Sequence, residues 1–151
     1  MKKLHIEIFR FGKKKFQKRY GKKTMAVTEP CYQPRKRCEI HIRRDLSPKS
    51  YKFTRDHEIG HILSDNLRLK KNLSKETKER LKEISKEFSP SFAKGLRRKR
   101  ELVDEALANI YAARLRSKKE RLIIKKRFPK VSKLLDSKLK RIKLKVENIN
   151  V

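Results

Sequence analysis

At 151 residues and 36% hydrophobic content, the chain is long enough for one domain with a single modest core. No run approaches the roughly 18 apolar residues of a membrane-spanning helix, so no membrane span is expected. Lys and Arg outnumber Asp and Glu by 46 to 17, and the net charge of +29 would attract nucleic acid or an acidic partner, or simply keep the surface solvated.

The first predicted element is a strand over residues 3–10, where Leu4, Ile6 and Ile8 alternate with polar residues. These polar residues interrupt the apolar ones, so the N-terminus is not expected to be a signal peptide, and a cytoplasmic location is the default. A basic stretch follows, which is expected to form a short helix ending at Gly21.

Two further strands are predicted over residues 24–28 and 38–44, on either side of a turn region that contains two prolines. The two cysteines of the chain, Cys31 and Cys38, lie in this part. In a cytoplasmic protein they are expected to be free thiols; a disulfide across the turn and thiolate ligation of a metal are the alternatives.

Helices are expected to fill the rest of the chain. The first should run over about 48–67, because Ser47 suits the N-cap and Pro48 suits the first helical position. Three more helices are predicted over residues 74–88, 97–116 and 130–142, the last of them basic and amphipathic. Strands followed by helices indicate an α+β domain with a small, largely antiparallel sheet.

A metal-binding pattern occupies the first of these helices, in His57-Glu58-Ile59-Gly60-His61. The spacing of four puts both imidazoles on one side of the helix, one turn apart, where their nitrogens can meet one Zn²⁺ at about 2.0–2.1 Å. Glu58, rotated by roughly 100° from His57, would flank the metal and accept a proton from the water that the metal activates. Two histidines without a metal are the alternative.

Such a site needs a third protein ligand, and Glu105 on the third long helix is the predicted one. Glu105 and Asn109 occupy a helical stripe that is otherwise small and apolar. A buried carboxylate without a partner is costly, and one zinc ion per chain would remove that cost. Asn109 is predicted to accept a hydrogen bond from the second nitrogen of a ligand imidazole. The carboxylates that could replace Glu105 are, in order, Glu101, Asp104 and Asp65.

Two segments of the sequence resemble a known family. Phe53-Thr54-Arg55-Asp56-His57-Glu58-Ile59-Gly60-His61 and Glu105-Ala106-Leu107-Ala108-Asn109-Ile110-Tyr111-Ala112 are similar to the motifs of the ImmA/IrrE metallo-endopeptidases, which are gluzincins. The size and basic character also resemble the archaeal minigluzincins. The resemblance implies a twisted sheet packed on an active-site helix, Glu105 as third zinc ligand, and endopeptidase activity, often on repressor proteins. Leu107 departs from the family, which often has an acid there.

The sequence thus predicts a zinc-dependent metallopeptidase domain over residues 1–116, with residues 117–151 as a basic helical C-terminal extension of the same domain. Its substrate would be a protein or peptide, aligned by the strand at 38–44 acting as an edge strand. Candidates for stabilising the oxyanion are Tyr111, Arg114 and His41. The alternatives are a basic nucleic-acid-binding protein with a structural or vestigial zinc site, and a latent enzyme whose C-terminal basic helix covers the cleft.

Overall fold

A computed structural model describes residues 2–28, 37–88 and 99–151 of the chain. In chain order its elements are β1 (Lys2–Phe11), α1 (Lys13–Tyr20), β2 (Ala26–Thr28), β3 (Arg37–Arg43), α2 (Pro48–Asn66), a short 3-10 helix (Leu69–Asn72), α3 (Lys75–Phe88), α4 (Lys99–Arg116), α5 (Lys118–Arg127), α6 (Pro129–Leu139) and β4 (Ile142–Asn150). The predicted α+β class is confirmed, with helices C-terminal to the first three strands. Within these ranges no helix is long and apolar enough to cross a membrane.

The sheet is mixed, so the prediction of a largely antiparallel sheet is wrong. Its strand order is β2-β3-β1-β4, and β1 pairs in parallel with both β3 and β4, while only β2 and β3 are antiparallel. Parallel neighbours require long crossover connections. The helices between β3 and β4 provide one such crossover. The sequence patterns that predict each single strand do not show which strands pair, or in which direction.

The position of β3 also corrects the expectation for residues 38–44. This strand lies between β2 and β1 and is therefore not an edge strand. Thr28 of β2 pairs with Ile40, and Ile8 of β1 pairs with Ile40 from the other side. Within the described residues, β2 and β4 form the two edges of the sheet.

One face of the sheet packs on α2. Alternate residues of β1 and β3 are almost fully buried there and contact the apolar face of the helix. The strands contribute Leu4, Ile6, Ile8, Cys38, Ile40 and Ile42, and the helix contributes Ile59, Ile62 and Leu63. Phe16 of α1 is buried too and contacts Phe11 of β1. The period-two burial of the strands follows their alternating sequence pattern.

Cys38 is buried and disulfide-bonded, which differs from the expectation of two free thiols. The other cysteine of the chain, Cys31, lies outside the described residues.

A second apolar cluster joins the 3-10 helix and α3 to α4, α5 and α6. It includes Leu81, Leu107, Ile124, Val131 and Leu135, all buried. The tail was predicted to contain one helix over 130–142, but it forms two helices and a strand. Its residues thus complete both the helical core and the sheet.

Candidate metal centre

The helix α2 starts where its sequence predicts. Ser47 is its N-cap, and the Ser47 hydroxyl accepts a hydrogen bond of 3.3 Å from the amide of Ser50. Pro48 occupies the first turn, where its missing N–H costs nothing. The helix then continues to Asn66, so both histidines of the pattern lie within it, one turn apart.

The helix α4 crosses α2 at Gly60, between the two histidines. A Cβ atom at Gly60 would lie 3.0 Å from the Cα atom of Ala108 and 3.2 Å from the Cδ1 atom of Tyr111. The absence of a side chain therefore lets the two helices approach closely. Because Ala108 lies between Glu105 and Asn109 in sequence, this contact brings both polar side chains of α4 to the histidines.

The three predicted ligands lie together at this crossing. The Nε2 atoms of His57 and His61 are 3.1 Å apart, and each is 2.9 Å from one oxygen of the Glu105 carboxylate. Among the described residues, this is the one group of three or more His, Cys, Asp or Glu side chains with converging ligand atoms.

Asn109 has the supporting position that the sequence predicts. Its Oδ1 atom accepts a hydrogen bond of 2.7 Å from Nδ1 of His57. An amide oxygen can only accept, so Nδ1 carries the hydrogen and the lone pair of Nε2 is directed toward the cluster. Asn109 thereby selects the tautomer of His57 that a metal ion requires.

In the metal-free chain, the carboxylate and the imidazoles of the cluster stabilise each other's charged forms. Burial alone would raise the pKa of Glu105, but the imidazoles of His57 and His61 at hydrogen-bond distance outweigh it and lower that pKa to about 2. For His61, burial works against the charged form, yet the hydrogen bond to Glu105 raises the net pKa. The carboxylate is therefore ionised, and its counter-charge is a proton on the imidazoles or, in its place, a metal cation.

The donor set fits zinc. Two imidazole nitrogens and one carboxylate oxygen form the ligand set of many zinc enzymes, which leaves a fourth position open. Tetrahedral zinc with bonds of about 2.0–2.2 Å separates its ligand atoms by roughly 3.3–3.5 Å. The separations of 2.9–3.1 Å need to widen by only a few tenths of an ångström.

Of the other carboxylates weighed as third ligand, Asp104 and Asp65 are not in the group of converging ligand atoms. Asp104 binds Lys70, at 2.9 Å and 3.0 Å from its two oxygens. Asp65 is exposed on α2 and does not belong to the group of converging ligand atoms. The side chain of Glu101 lies outside the described residues.

Glu58 contacts a residue that sequence reasoning missed. The hydroxyl of Thr28, in β2, donates a hydrogen bond to the Glu58 carboxylate. Nothing in the local pattern around Thr28 indicates this role, because the contact joins residues 30 positions apart. This hydrogen bond connects Glu58, the predicted proton acceptor, to the edge strand β2.

A cleft of about 780 Å³ opens over the cluster. Its lining includes His57, Glu58, Glu105 and Asn109. The other walls include Met25 and Ala26 where β2 begins, Arg116 at the end of α4, and Ile123 and Arg127 of α5. The segment after residue 117 therefore forms one wall of the cleft and also part of the core. Its removal would disrupt the fold and is not a clean test of latency.

The three oxyanion candidates lie away from this cleft. Tyr111 and Arg114 line a different cavity. His41 is buried on the sheet face opposite α2, next to Phe11 and hydrogen-bonded to the Tyr20 hydroxyl. The cleft itself presents Arg116, whose guanidinium stacks 4.3 Å from the ring centroid of Phe53.

No family model, curated protein or solved structure matches the chain.

Proposed function

We propose that the protein is a zinc-dependent metallopeptidase of the endopeptidase type, with one zinc ion per chain. The observation that carries the proposal is the convergence of His57, His61 and Glu105 at 2.9–3.1 Å. Of these, His57 and Glu105 line an open cleft together with Glu58. The motif resemblance to the ImmA/IrrE metallo-endopeptidases supports the same reading.

The residues of the site would have two separate roles, metal binding and proton transfer. Zinc, when bound, would act as a Lewis acid on the scissile carbonyl and lower the pKa of water. His57, His61 and Glu105 hold it, and Asn109 keeps His57 in the binding tautomer. Glu58 accepts the proton of the attacking water and delivers it to the leaving amine.

The substrate would be an extended polypeptide lying along β2. This strand is an edge of the sheet within the described residues, and its first residue Ala26 lines the cleft together with residues 23–25 before it. Main-chain groups on the outer side of an edge strand pair with an added strand without regard to side-chain identity. The hydrogen bond between Thr28 and Glu58 supports this arrangement, because it joins β2 to the proposed proton acceptor.

A cytoplasmic location belongs to the proposal. The disulfide at Cys38 fits that location in the intracellular proteins of hyperthermophiles, where disulfides persist.

The decisive experiment measures zinc content and hydrolysis in matched variants. Purified protein should contain about one zinc per chain by elemental analysis and should cleave an unfolded protein substrate. Glu58→Gln should keep the zinc and lose hydrolysis, whereas His57→Ala should lose both. Glu83→Gln, at an exposed position of α3, is the control and should match the parent. A chain that takes up no zinc, or a Glu58→Gln variant as active as the parent, contradicts the proposal.

A nucleic-acid-binding function is the second candidate. It is favoured by α5, whose six basic residues are exposed beside the exposed Leu122 and Ile123. Binding of DNA or RNA that falls steeply with salt, combined with no cleavage of unfolded protein, would select this function over the first.

A further inference from the structure

A second cavity, of about 510 Å³, lies between α4, α5 and α6. Its lining includes Tyr111, Arg114, Arg121, Asp136, Leu139 and Lys140, and it shares no residue with the lining of the cleft over the metal cluster. Neither the zinc chemistry nor the binding of a substrate along β2 uses this cavity.

Arg114 distinguishes this cavity from the diffuse positive charge of the surface. It is 8% exposed and is the one Lys or Arg classed as buried among the described residues. Its terminal nitrogen pairs with Asp136 of α6. Its Nε atom is buried and has no hydrogen-bond partner among the described residues. A buried guanidinium with an unused donor is costly, so a further acceptor would stabilise it.

The charges around the cavity do not balance. Arg121 lies 3.5 Å from the same Asp136 oxygen that Arg114 contacts, and Lys140 also lines the cavity. The Asp136 carboxylate, whose side chain is 45% exposed, thus pairs with both Arg114 and Arg121. Lys140 adds a third positive charge to the lining. Two positive charges are left without a counter-charge in the lining. A phosphate monoester, which carries between one and two negative charges at neutral pH, compensates them, and its oxygens suit the guanidinium fork.

The remaining walls are apolar. Tyr111, Leu115 and Leu139 line the cavity beside the cations. The volume of about 510 Å³ falls in the range of small-molecule sites, which combine apolar walls with a few placed polar groups. A bare inorganic anion would leave these apolar walls unused.

We propose that this cavity binds a small phosphate monoester with an apolar or aromatic body. Arg114, Arg121 and Lys140 hold the phosphate, and the body lies against Tyr111 and the two leucines. Tyr111 also packs against Gly60, and Arg114 lies on the helix that carries Glu105 and Asn109. The bound ligand would therefore stabilise α4 in its place against α2.

The test uses the full chain in the presence of a chelator, so that phosphate cannot bind a metal at the other site. Phenyl phosphate serves as the probe, with calorimetry for affinity and the Nε–H signal of Arg114 in NMR spectra for location. The double variant Arg121→Gln/Lys140→Gln removes two exposed cations of the cavity. The double variant Lys126→Gln/Lys133→Gln removes two exposed cations of the same helices that do not line it.

We expect the parent chain to bind phenyl phosphate and to shift the Arg114 signal. The cavity variant should bind at least about tenfold more weakly, and the control variant should change by less than about twofold. Equal weakening in both variants, or no binding by the parent, overturns the site. Inorganic phosphate binding as tightly as phenyl phosphate overturns the proposed organic body. A DNA duplex that shifts the Arg114 signal while phenyl phosphate does not also overturns the proposal.

Discussion

The Nδ1 atom of His57 lies 2.7 Å from the Oδ1 atom of Asn109, across two helices and 52 positions of sequence. This hydrogen bond couples the orientation of a predicted metal ligand to the packing of α4. Asn109→Ala should lower zinc affinity by roughly 10-fold to 100-fold, because His57 loses the partner that fixes its tautomer. Competition with a chromophoric chelator measures the affinity. Asn150→Ala, at the exposed end of β4, is the control, and equal affinities in all three proteins would contradict this role.

Thr28 should act as a positioning residue for Glu58, if the proposed peptidase activity holds. Thr28→Val keeps a β-branched side chain in β2 but removes the hydroxyl that binds the carboxylate. We expect unchanged zinc content and a kcat lower by roughly 10-fold to 100-fold, with a displaced pH profile. Thr28→Ser restores the hydroxyl and should recover most of the rate. A valine variant with the parental kcat and pH profile would show that the contact is only structural.

Gly60→Ala tests the close approach of α2 and α4. The added Cβ would meet backbone atoms of Ala108 at 3.0 and 3.1 Å, so the helices have to separate. Overpacking of this kind costs about 1–3 kcal/mol, partly offset by the better helix propensity of alanine, about 1 kcal/mol. Urea unfolding should therefore show a net loss of stability together with weaker zinc binding. Gly12→Ala is the control, because its Cβ would lie 3.5 Å from the nearest side-chain atom. A smaller loss at Gly60 than at Gly12 would be incompatible with tight packing there.

The acid stability of the metal-free chain should depend on Glu105. Its pKa is about 2 in the folded chain against an ordinary value of 4.5, so its ionised form favours folding. This contribution is fully present above pH 4.5 and is lost as the pH falls from there toward 2. The stability difference between the parent and Glu105→Gln should therefore shrink between pH 5 and pH 3. Urea unfolding in the presence of a chelator measures it. A difference that stays constant with pH would mean that the folded pKa of Glu105 is not depressed.

Leu135 tests whether the C-terminal segment is part of the core. It is 1% exposed in the helical cluster, and Leu135→Ala should destabilise the chain by about 2–5 kcal/mol. Leu122 is 59% exposed on α5, and Leu122→Ala should change the stability by less than about 0.5 kcal/mol. Similar effects of the two substitutions on thermal unfolding would argue against a core that includes α6.

Local patterns in the sequence determined the pieces of this protein. Alternation in residues 3–10 and the cap at Ser47 were sufficient to predict β1 and the start of α2, because strand and helix periods act over a few residues. The same helical period placed His57 and His61 on one side of α2 before any tertiary contact was known.

Only the tertiary structure decided which distant residues meet. Glu101, Asp104, Glu105 and Asp65 were all chemically able to complete the site, and the choice depends on how α4 turns and crosses α2 at Gly60. The pairing of β4 with β1 is likewise a contact between chain ends, across a helical crossover. Such contacts depend on close packing between elements, which short sequence patterns do not encode.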